Sequence, residues 1–405
     1  MKYIENKLSL DGVLFNDIFL KYSTPVYVYS QKAIHNNLES YMEKIDDGDL
    51  ICFSVKSSNN LEILKTISSK GAGFDVVSSG ELRKVIHIGA DVNKIVYSGV
   101  GKTKEDLIFA VKSKIKSINI ESLSELKVLV EIVKEIDIVA NIALRFNPET
   151  SSETHPYLDT GSSGSKFGIP KNEINECLKI IEKQKNINLK GLAFHIGSDI
   201  KDFSYFQKAL QIMLEKIKYL NIEEHIEFLD VGGGLAIKYF DNDEVLTIQE
   251  FVTKVKALVP EKLNLIFEPG KSIIGNAGYL LAKVLYKKSN ILLIDAGMND
   301  HIRVPLYNAK HQILPVKKHI FTDQSFKIAG PVCESADIFD HDFHYELDEG
   351  ELLVIGSSGA YGFSMSSNYN ARLRPPEVMI SNEKIKLIRR RETFNDFISE
   401  EVGLE

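Results

Sequence analysis

Residues 51–77, ICFSVKSSNNLEILKTISSKGAGFDVV, contain the pattern that decides the fold. A short apolar run at 51–56 is followed by apolar residues at three-to-four spacing over 62–69, and then by a second apolar run at 73–77. Short, β-branched apolar runs are typical of strands buried on both faces, and the intervening spacing is typical of an amphipathic helix. The stretch therefore predicts a strand–helix–strand unit with parallel strands.

The same alternation continues to about residue 270. Helical spacing recurs at residues 124–135, 205–219 and 247–259, and Ser78 and Ser122 each precede a glutamate by three positions, which is a capping-box pattern. Eight such units predict a (β/α)8 TIM barrel. The alternative is a doubly wound open sheet, which the absence of an early G-x-G-x-x-G motif disfavours. The eight strand-like runs are residues 51–56, 73–77, 94–98, 117–120, 141–146, 191–196, 226–231 and 263–268.

After about residue 275 the helical period weakens and alternating runs appear at 291–294, 351–355 and 377–380. This pattern predicts a C-terminal, mostly β domain, and the strand-like segment TPVYVY at 24–29 is expected to join it. We therefore expect a barrel domain over 31–276 and a β-rich domain built from 1–30 and 277–405. The irregular stretch 147–170, at the mouth of the barrel, is long enough to predict a functional loop.

Composition excludes several function classes. The chain has 405 residues and a net charge of −7, without a block of Lys or Arg typical of nucleic-acid binding. The three cysteines, Cys52, Cys177 and Cys333, form no CxxC pair or disulfide framework, and no cluster has metal-ligand spacing. No apolar run reaches the roughly 18–20 residues of a membrane span. The N-terminus has no apolar leader, so we expect a cytoplasmic protein. Because no cluster has metal-ligand spacing, we expect no structural metal.

Polar residues gather where the predicted strands end, which is where barrel enzymes place their active sites. A lysine at such a site is a candidate Schiff-base nucleophile, and the alternative is that Lys56 is an exposed lysine just past its strand. Three consecutive glycines suit an anion nest or simply a tight turn. His195 is a cofactor-facing residue or a core histidine. These strand-end residues are Lys56, Asp75, Arg145, His195, Ser198, Gly232, Gly233, Gly234, Glu268, Pro269, Gly270 and Lys271.

A phosphate-binding loop, an amine and a carboxylate at one mouth are the parts that pyridoxal 5'-phosphate requires. Barrels commonly bind phosphate with the loops after strands seven and eight, where Gly232–Gly234 and Glu268–Lys271 fall. Glu268 is the candidate partner for the pyridine nitrogen. In the β-rich segment, composition alone does not distinguish Arg303, Tyr307 and Cys333 from surface residues.

The ordered set of motifs resembles the diaminopimelate decarboxylases, which belong to the alanine-racemase-like fold class of pyridoxal-phosphate enzymes. The resemblance runs through nearly the whole chain, and the Cys-Glu-Ser and Gly-Ala-Tyr segments are the most specific to this family. The matching motifs are YVY at 27–29, FSVK at 53–56, GFDVVS at 73–78, RFNP at 145–148, SKFG at 165–168, HIGS at 195–198, DVGGG at 230–234, EPG at 268–270, DAGMND at 295–300, Arg303 with LY at 306–307, GPVCES at 330–335 and GAYG at 359–362.

The resemblance implies a role for each matching residue. Lys56 would hold the cofactor covalently, and His195 would stack on its ring. Cys333 would protonate the carbanion, and together with Glu334 it would reach the site of a neighbouring subunit in a homodimer. Cofactor contacts are implied for Lys56, Asp75, Arg145, His195, Ser198, Gly232, Gly233, Gly234, Glu268, Pro269, Gly270, Lys271 and Tyr361. Substrate contacts are implied for Lys271, Arg303, Tyr307, Glu334 and Tyr361.

The implied reaction is decarboxylation of meso-2,6-diaminoheptanedioate to L-lysine, the last step of lysine biosynthesis. Arg303 would bind the distal carboxylate bidentately and Glu334 the distal ammonium. The chain departs from the family pattern at Lys271, where arginine is usual, at Asp199, where glutamine is usual, and at residues 57–58, where Ala-Asn is usual. Alternatives are a same-fold decarboxylase of another basic amino acid or carboxylated polyamine, an amino-acid racemase, and a non-catalytic homologue.

Overall fold

The computed structural model describes residues 1–150 and 165–403. The chain divides into two compact units. One unit comprises Asn36–Ile237 and Glu244–Ile273, and the other comprises Met1–His35, Lys238–Asp243 and Ile274–Glu405. Of the long loop predicted at 147–170, residues 151–164 lie outside the described part of the chain.

Among the described residues, eight parallel strands close into a barrel, in which the first strand pairs with both the second and the eighth. The strands follow one another around the barrel in chain order, as repeated strand–helix units require. The fold class predicted from the sequence is therefore confirmed. The barrel strands, first to eighth, are Leu50–Ser54, Gly73–Val76, Ile95–Tyr97, Ser117–Ile120, Ala140–Arg145, Ile187–Ala193, Phe228–Asp230 and Asn264–Phe267.

The strand ends differ from the sequence prediction at two places that matter for chemistry. The first strand ends at Ser54, and Lys56 lies in a single 3-10 turn, Val55–Ser57, not in the strand. Asp75 lies inside the second strand and is fully buried. A carboxylate inside a strand that is covered on both faces must find polar partners within the barrel.

Amphipathic helices surround the barrel strands. In the helix Leu123–Ile136, residues such as Leu126, Leu129 and Val133 are buried at three-to-four spacing. The first of these helices, Gln31–Met42, begins in residues of the other unit. The other helices among the described residues of this unit are Leu61–Ser68, Ser79–His87, Lys104–Lys112, Leu123–Ile136, Ile174–Glu182, Phe203–Leu220, Ile248–Lys256 and Lys271–Ile274. A 3-10 turn at Val92–Lys94 precedes the third strand.

The predicted capping boxes form only in part. Ser78 accepts a hydrogen bond from the Glu81 amide at 3.2 Å, but the Glu81 carboxylate accepts from the amide of Val77 at 2.8 Å rather than from Ser78. The Glu125 carboxylate likewise accepts from the residue before its cap, the amide of Glu121, at 3.2 Å. Each glutamate thus secures the last residue of the preceding strand or loop as well as the helix start.

The β-rich unit contains a nine-stranded sheet, and the N-terminal strand Val26–Ser30 lies inside it. That strand pairs antiparallel with Gly278–Lys288 and parallel with Glu377–Ser381, as the sequence predicted for this segment. Its apolar face packs with Phe15 and Ile18 of the helix Phe15–Tyr22. The other strands of the sheet are Ile291–Ile294, Ile313–Pro315, Phe321–Ala329, Ile338–Tyr345, Leu352–Ile355 and Lys384–Arg389.

Shorter elements complete the β-rich unit. The strands Lys2–Ile4, Lys7–Leu10 and Val13–Leu14 form a separate three-stranded sheet. Short helices and 3-10 turns lie between the strands of the larger sheet or after it, at Gly275–Ala277, Arg303–Tyr307, Phe363–Met365, Tyr369–Ala371 and Phe394–Phe397.

The three cysteines differ in environment. Cys52 and Cys177 are buried, whereas Cys333 is exposed. Burial raises the pKa of Cys52 well above 9.0 and that of Cys177 to about 11.

Within the described ranges, no helix combines the length and apolar character needed to cross a membrane. In the same ranges no three His, Cys, Asp or Glu side chains are grouped as metal ligands.

Candidate active site

Lys56 stands beside a buried carboxylate at the end of the first barrel strand. Its Nζ lies 3.7 Å from Asp75 Oδ2, which also accepts a hydrogen bond from Ser54 Oγ at 2.6 Å. The Lys56 side chain is 39% exposed and that of Asp75 is fully buried, so the amine is reachable while its counter-ion is not. Asp75 Oδ1 has no hydrogen-bond partner among the described residues. This pair therefore presents an accessible amine and an open acceptor side by side.

Glu268 is held by a polar network inside the barrel. Ser98 Oγ donates to Glu268 Oε1 at 3.0 Å, and Asn119 Nδ2 donates to Ser98 Oγ at 3.1 Å. Asn119 Nδ2 also donates to Asp230 Oδ2 at 3.1 Å, and the Gly232 amide donates to Asp230 Oδ1 at 3.0 Å. Ser98, Asn119 and Asp230 are buried, so this hydrogen-bonded network holds the Glu268 carboxyl in place through Ser98.

The same carboxyls repel one another. Removal from water, with Asp230 and Asp75 nearby, raises the pKa of Glu268 well above 4.5, and burial raises the pKa of Asp230 to about 6. The positive charge of Lys56 acts in the opposite direction, and a cation close to Glu268 favours its ionised form.

Glu81 adds a further titrating group near Lys56. Burial is the largest cause of its raised pKa, about 7, and the neighbouring charge of Asp75 adds to the shift. The Glu81 carboxyl has a structural role, because it accepts a hydrogen bond from the Val77 amide at the start of the helix. Because its pKa is about 7, its charge changes with pH near neutrality.

His195 lies after the sixth strand and is half-buried. The Gly233 amide donates to His195 Nδ1 at 3.2 Å, so Nδ1 is an acceptor and the ring proton of the neutral form lies on Nε2. Burial and the charges of Lys56 and Arg145 lower the pKa of His195 well below 6.5. The imidazole is therefore neutral near pH 7.

The glycines after the seventh strand allow three loops to approach closely. A Cβ on Gly233 would lie 2.3 Å from the carbonyl oxygen of Glu268, and a Cβ on Gly234 would lie 2.3 Å from that of Gly197. Gly232 and Gly234 have φ of 65° and 110°, a region that favours glycine. Loop packing alone thus requires these glycines.

Arg145, at the end of the fifth strand, is engaged by protein groups. Its Nη1 lies 2.5 Å from Glu121 Oε1, and the Gly168 amide donates to Glu121 Oε2 at 2.8 Å. The guanidinium also stacks 4.9 Å from the Phe167 ring centroid. Arg145 and Glu121 therefore anchor the segment that carries the SKFG motif.

Lys271, which follows the eighth strand, is paired with Asp199, which follows the sixth. Lys271 Nζ donates to Asp199 Oδ2 at 2.5 Å, and the two side chains are 4% and 24% exposed. The two positions at which the chain departs from the family pattern beside Glu-Pro-Gly and His-Ile-Gly-Ser are thus in contact. The adjoining Pro269 carbonyl accepts from the Ser54 amide at 3.1 Å, and Gly270 packs against Ser57.

In the β-rich unit, Arg303 is buried and has an aromatic partner. Arg303 Nη1 donates to Tyr239 Oη at 2.9 Å, and the Tyr239 ring meets His311 edge-on with centroids 5.2 Å apart. His311 Nδ1 donates to the Gly356 carbonyl at 2.9 Å, so its Nε2 accepts from His301 Nε2, 3.2 Å away. Burial and the charge of Arg303 help to lower the pKa of His301 well below 6.5. The imidazole of His301 is therefore neutral beside Arg303.

The other site residues predicted in this unit are Tyr307, Tyr361, Cys333 and Glu334. Tyr307 ends the short helix that begins with Arg303, and Tyr361 is half-buried with φ of 58°. Cys333 and Glu334 are exposed on one loop, where the Cys333 amide donates to Asn370 Oδ1 at 2.7 Å.

Asp337 fixes the shape of this loop. Its carboxylate accepts from the amides of Val332 at 2.7 Å and Met298 at 2.6 Å. The Gly-Pro-Val-Cys-Glu-Ser segment is therefore tied to the Asp-Ala-Gly-Met-Asn-Asp segment by one buried carboxylate.

Sequence reasoning assigned no role to several residues that the site uses. Asn119 and Asp230 each interrupt a short apolar strand run, and a polar residue in a strand covered on both faces needs a buried partner. That signal was available for these two residues. Ser98 and Tyr239 carry no such signal, and Asp199 is marked in the sequence only as a departure from the family pattern. The partners of these three residues lie 64–170 positions away in sequence.

Known proteins resemble the chain over its full length. The family model "Pyridoxal-dependent decarboxylase, pyridoxal binding domain" matches residues 31–275. A diaminopimelate decarboxylase from Aquifex aeolicus is 40% identical over 99% of this chain and 96% of its own length.

Two solved structures agree in fold and family. Diaminopimelate decarboxylase from M. jannaschii, in co-complex with L-lysine, is 34% identical, with a TM-score of 0.92 over 99% of this chain and 97% of that one. The Helicobacter pylori enzyme complexed with L-lysine is 35% identical, with a TM-score of 0.88 over 95% and 98% of the two chains. The chain belongs to the diaminopimelate decarboxylase family of pyridoxal-dependent decarboxylases.

Proposed function

We propose that this protein is a pyridoxal-phosphate-dependent carboxy-lyase that converts meso-2,6-diaminoheptanedioate to L-lysine and CO2, the last step of lysine biosynthesis. The observation that carries the proposal is the accessible amine of Lys56 beside Asp75, close enough to the hydrogen-bonded carboxyl of Glu268 for its charge to lower the pKa of that carboxyl. Membership in the family and the L-lysine complexes of two relatives support the choice of substrate.

The residues of the lumen fit pyridoxal phosphate. A cation close to Glu268 favours its ionised form, and a protonated pyridine nitrogen is one. Asp75 Oδ1 is buried without a partner among the described residues and can accept a hydrogen bond. Neutral His195 offers a flat ring without adding positive charge. The loop at Gly232–Gly234 and the hydroxyl of Ser198 are the groups proposed to hold the phosphate, although the amides of Gly232 and Gly233 already donate to Asp230 and His195.

When bound, the cofactor supplies an electron sink that stabilises the carbanion left by loss of CO2. Lys56 is the residue that would hold it covalently, and Glu268 is the residue that would pair with its ring nitrogen. Ser98 and Asn119 keep the Glu268 carboxyl in place. The contacts expected for Arg145, Pro269, Gly270 and Tyr361 complete the cofactor site.

The β-rich domain would supply substrate recognition and the proton. Arg303, held by Tyr239, presents a planar cation for the distal carboxylate, and Glu334 presents a carboxylate for the distal ammonium. The thiol of Cys333 would deliver a proton at Sγ to the substrate carbon. Tyr307 and Tyr361 would line the same pocket.

Assembly and location follow from this assignment. We propose a barrel domain over residues 31–276 that binds the cofactor, and a domain of residues 1–30 and 277–405 that contributes substrate and dimer contacts. Cys333 and Glu334 are exposed and are suited to reach the site of a second copy of the chain. A homodimer with shared sites, in the cytoplasm, is the proposed working state.

The test is CO2 and amine release by the cofactor-loaded protein with meso-diaminoheptanedioate, L-lysine, L-ornithine and L-arginine as separate substrates. We expect only the diamino diacid to react and L-lysine to accumulate. A faster reaction with any monocarboxylate would refute the substrate assignment while leaving the cofactor site intact. Lys56→Ala should remove both turnover and the visible absorption band of the bound cofactor, and a retained band would refute the role of Lys56.

A further inference from the structure

The pairing of Lys271 with Asp199 restricts what Lys271 can do. The ammonium is nearly buried, with its side chain 4% exposed, and it donates to Asp199 Oδ2 at 2.5 Å. A desolvated ammonium is stable only with a counter-charge close by, and separating such a pair leaves a buried charge uncompensated. Lys271 and Asp199 together present no net charge to an anionic substrate group.

The pair also completes a set of loop-to-loop contacts. The Ile200 amide donates to the Gly234 carbonyl at 2.9 Å, which joins the loop after the sixth strand to the loop after the seventh. The Glu268 amide donates to the Gly232 carbonyl at 2.8 Å, which joins the seventh to the eighth. Backbone bonds thus connect the loop after the sixth strand to that after the seventh, and the latter to that after the eighth. Among the described residues, no backbone bond joins the loops after the sixth and eighth strands directly.

Asp199 and Lys271 form that third connection. Asp199 lies in the loop after the sixth strand, and Lys271 begins the helix that directly follows the loop after the eighth, so their ion pair closes the three loops into a ring. We propose that Asp199 and Lys271 are positioning residues that hold these loops in their cofactor-binding arrangement, and that Lys271 does not bind the substrate carboxylate. The inference rests on the proposed function, in which the three loops hold the phosphate of the cofactor.

Two neutral substitutions test the pair separately. Lys271→Met keeps most of the apolar stem and removes the charge. Asp199→Asn keeps the shape of the side chain and is compatible with the left-handed φ of 63° at this position. The double variant removes both charges and leaves no uncompensated ion in the pocket. Lys262→Met is the matched control, because Lys262 pairs with Glu224 on an exposed face of the same unit.

The primary measurement is titration of the cofactor-free protein with pyridoxal phosphate, followed by equilibrium dialysis and by the visible band of the bound cofactor. Each single variant should bind about tenfold or more weakly, and the double variant should lose less than the two single losses combined, as expected for partners in one ion pair. Lys262→Met should bind like the wild type. At saturating cofactor, the KM of Lys271→Met for meso-diaminoheptanedioate should stay at the wild-type value.

Two results would overturn the proposal. Unchanged cofactor affinity together with a raised KM in Lys271→Met would make Lys271 a substrate cation, and strictly additive losses would show that the two residues act independently. If Lys271→Met does not fold, as judged by circular dichroism of the cofactor-free protein, Asp199→Asn is compared with the double variant instead. Cofactor affinity equal to or higher than that of Asp199→Asn in the double variant supports the pair, because the uncompensated ammonium is removed, and a further loss overturns it. The titration requires no turnover, so it is read even if the protein fails to decarboxylate meso-diaminoheptanedioate, the result that would refute the proposed function.

Discussion

Removal of one hydroxyl tests how Arg303 is oriented. Tyr239→Phe keeps the ring that meets His311 and deletes the oxygen that accepts from Arg303 Nη1 at 2.9 Å. Hydrogen bonds to charged groups contribute about 1.5–3 kcal/mol, and each 1.4 kcal/mol corresponds to about tenfold in an equilibrium constant. Because Arg303 is 2% exposed, water does not easily replace the lost acceptor. We therefore expect kcat/KM for meso-diaminoheptanedioate to fall by roughly 10- to 100-fold.

The loss should appear mainly in KM, because a positioning residue behind a substrate-binding cation weakens binding before it alters the chemical step. The assay is steady-state CO2 release over a range of substrate concentrations, with saturating cofactor. Tyr286→Phe is the control, since Tyr286 is 63% exposed and lies in the same unit. An unchanged kcat/KM in Tyr239→Phe, or an equal loss in the control, would refute the orientation of Arg303 by Tyr239.

Three other predictions address separate groups. Cys333→Ala should keep the visible cofactor band but slow turnover by about 10²–10⁴, as for loss of a general acid, and unchanged turnover would remove Cys333 from the mechanism. Ser98→Ala should weaken cofactor binding by about tenfold through loss of the bond to Glu268, measured by equilibrium dialysis against the exposed-residue control Ser204→Ala; equal affinities for the two variants would contradict the network. Because the pKa of Glu81 is raised in the folded protein, the wild type should lose stability as pH rises from 4.5 to about 7 and the buried carboxyl ionises. Glu81→Gln cannot ionise, so its free energy of unfolding should rise relative to that of the wild type by up to about 3 kcal/mol across this window. Denaturant unfolding of both proteins at the two ends of the window measures this, and a constant difference would contradict it.

The barrel could be predicted from the sequence because its signal is repeated and local. Each of the eight apolar runs overlaps a strand, since a strand covered on both faces must be apolar almost throughout. The strand ends were less certain because a strand and the turn that follows it share the same composition. Lys56 was therefore placed in the strand, although it lies in the 3-10 turn after it.

The candidate site could be predicted only where one residue carries its own signal. A lysine, a histidine or a glycine run at a strand end is visible in the sequence, whereas a contact such as Asn119 to Asp230 joins positions 111 apart. No periodicity records such a contact, because it arises only when the barrel closes. The ion pairs of Arg145 with Glu121 and of Lys271 with Asp199 could not be predicted for the same reason.

The different environments of the cysteines give the protein a built-in reporter. Burial and raised pKa values keep Cys52 and Cys177 protonated and out of contact with solvent, so a thiol-specific reagent at neutral pH reaches Cys333 first. An isolated protomer should therefore consume one fast-reacting equivalent of reagent per chain. If two copies associate so that the loop of one enters the site of the other, that equivalent should become slow. Thiol labelling kinetics would thus follow subunit association directly, without any measurement of turnover.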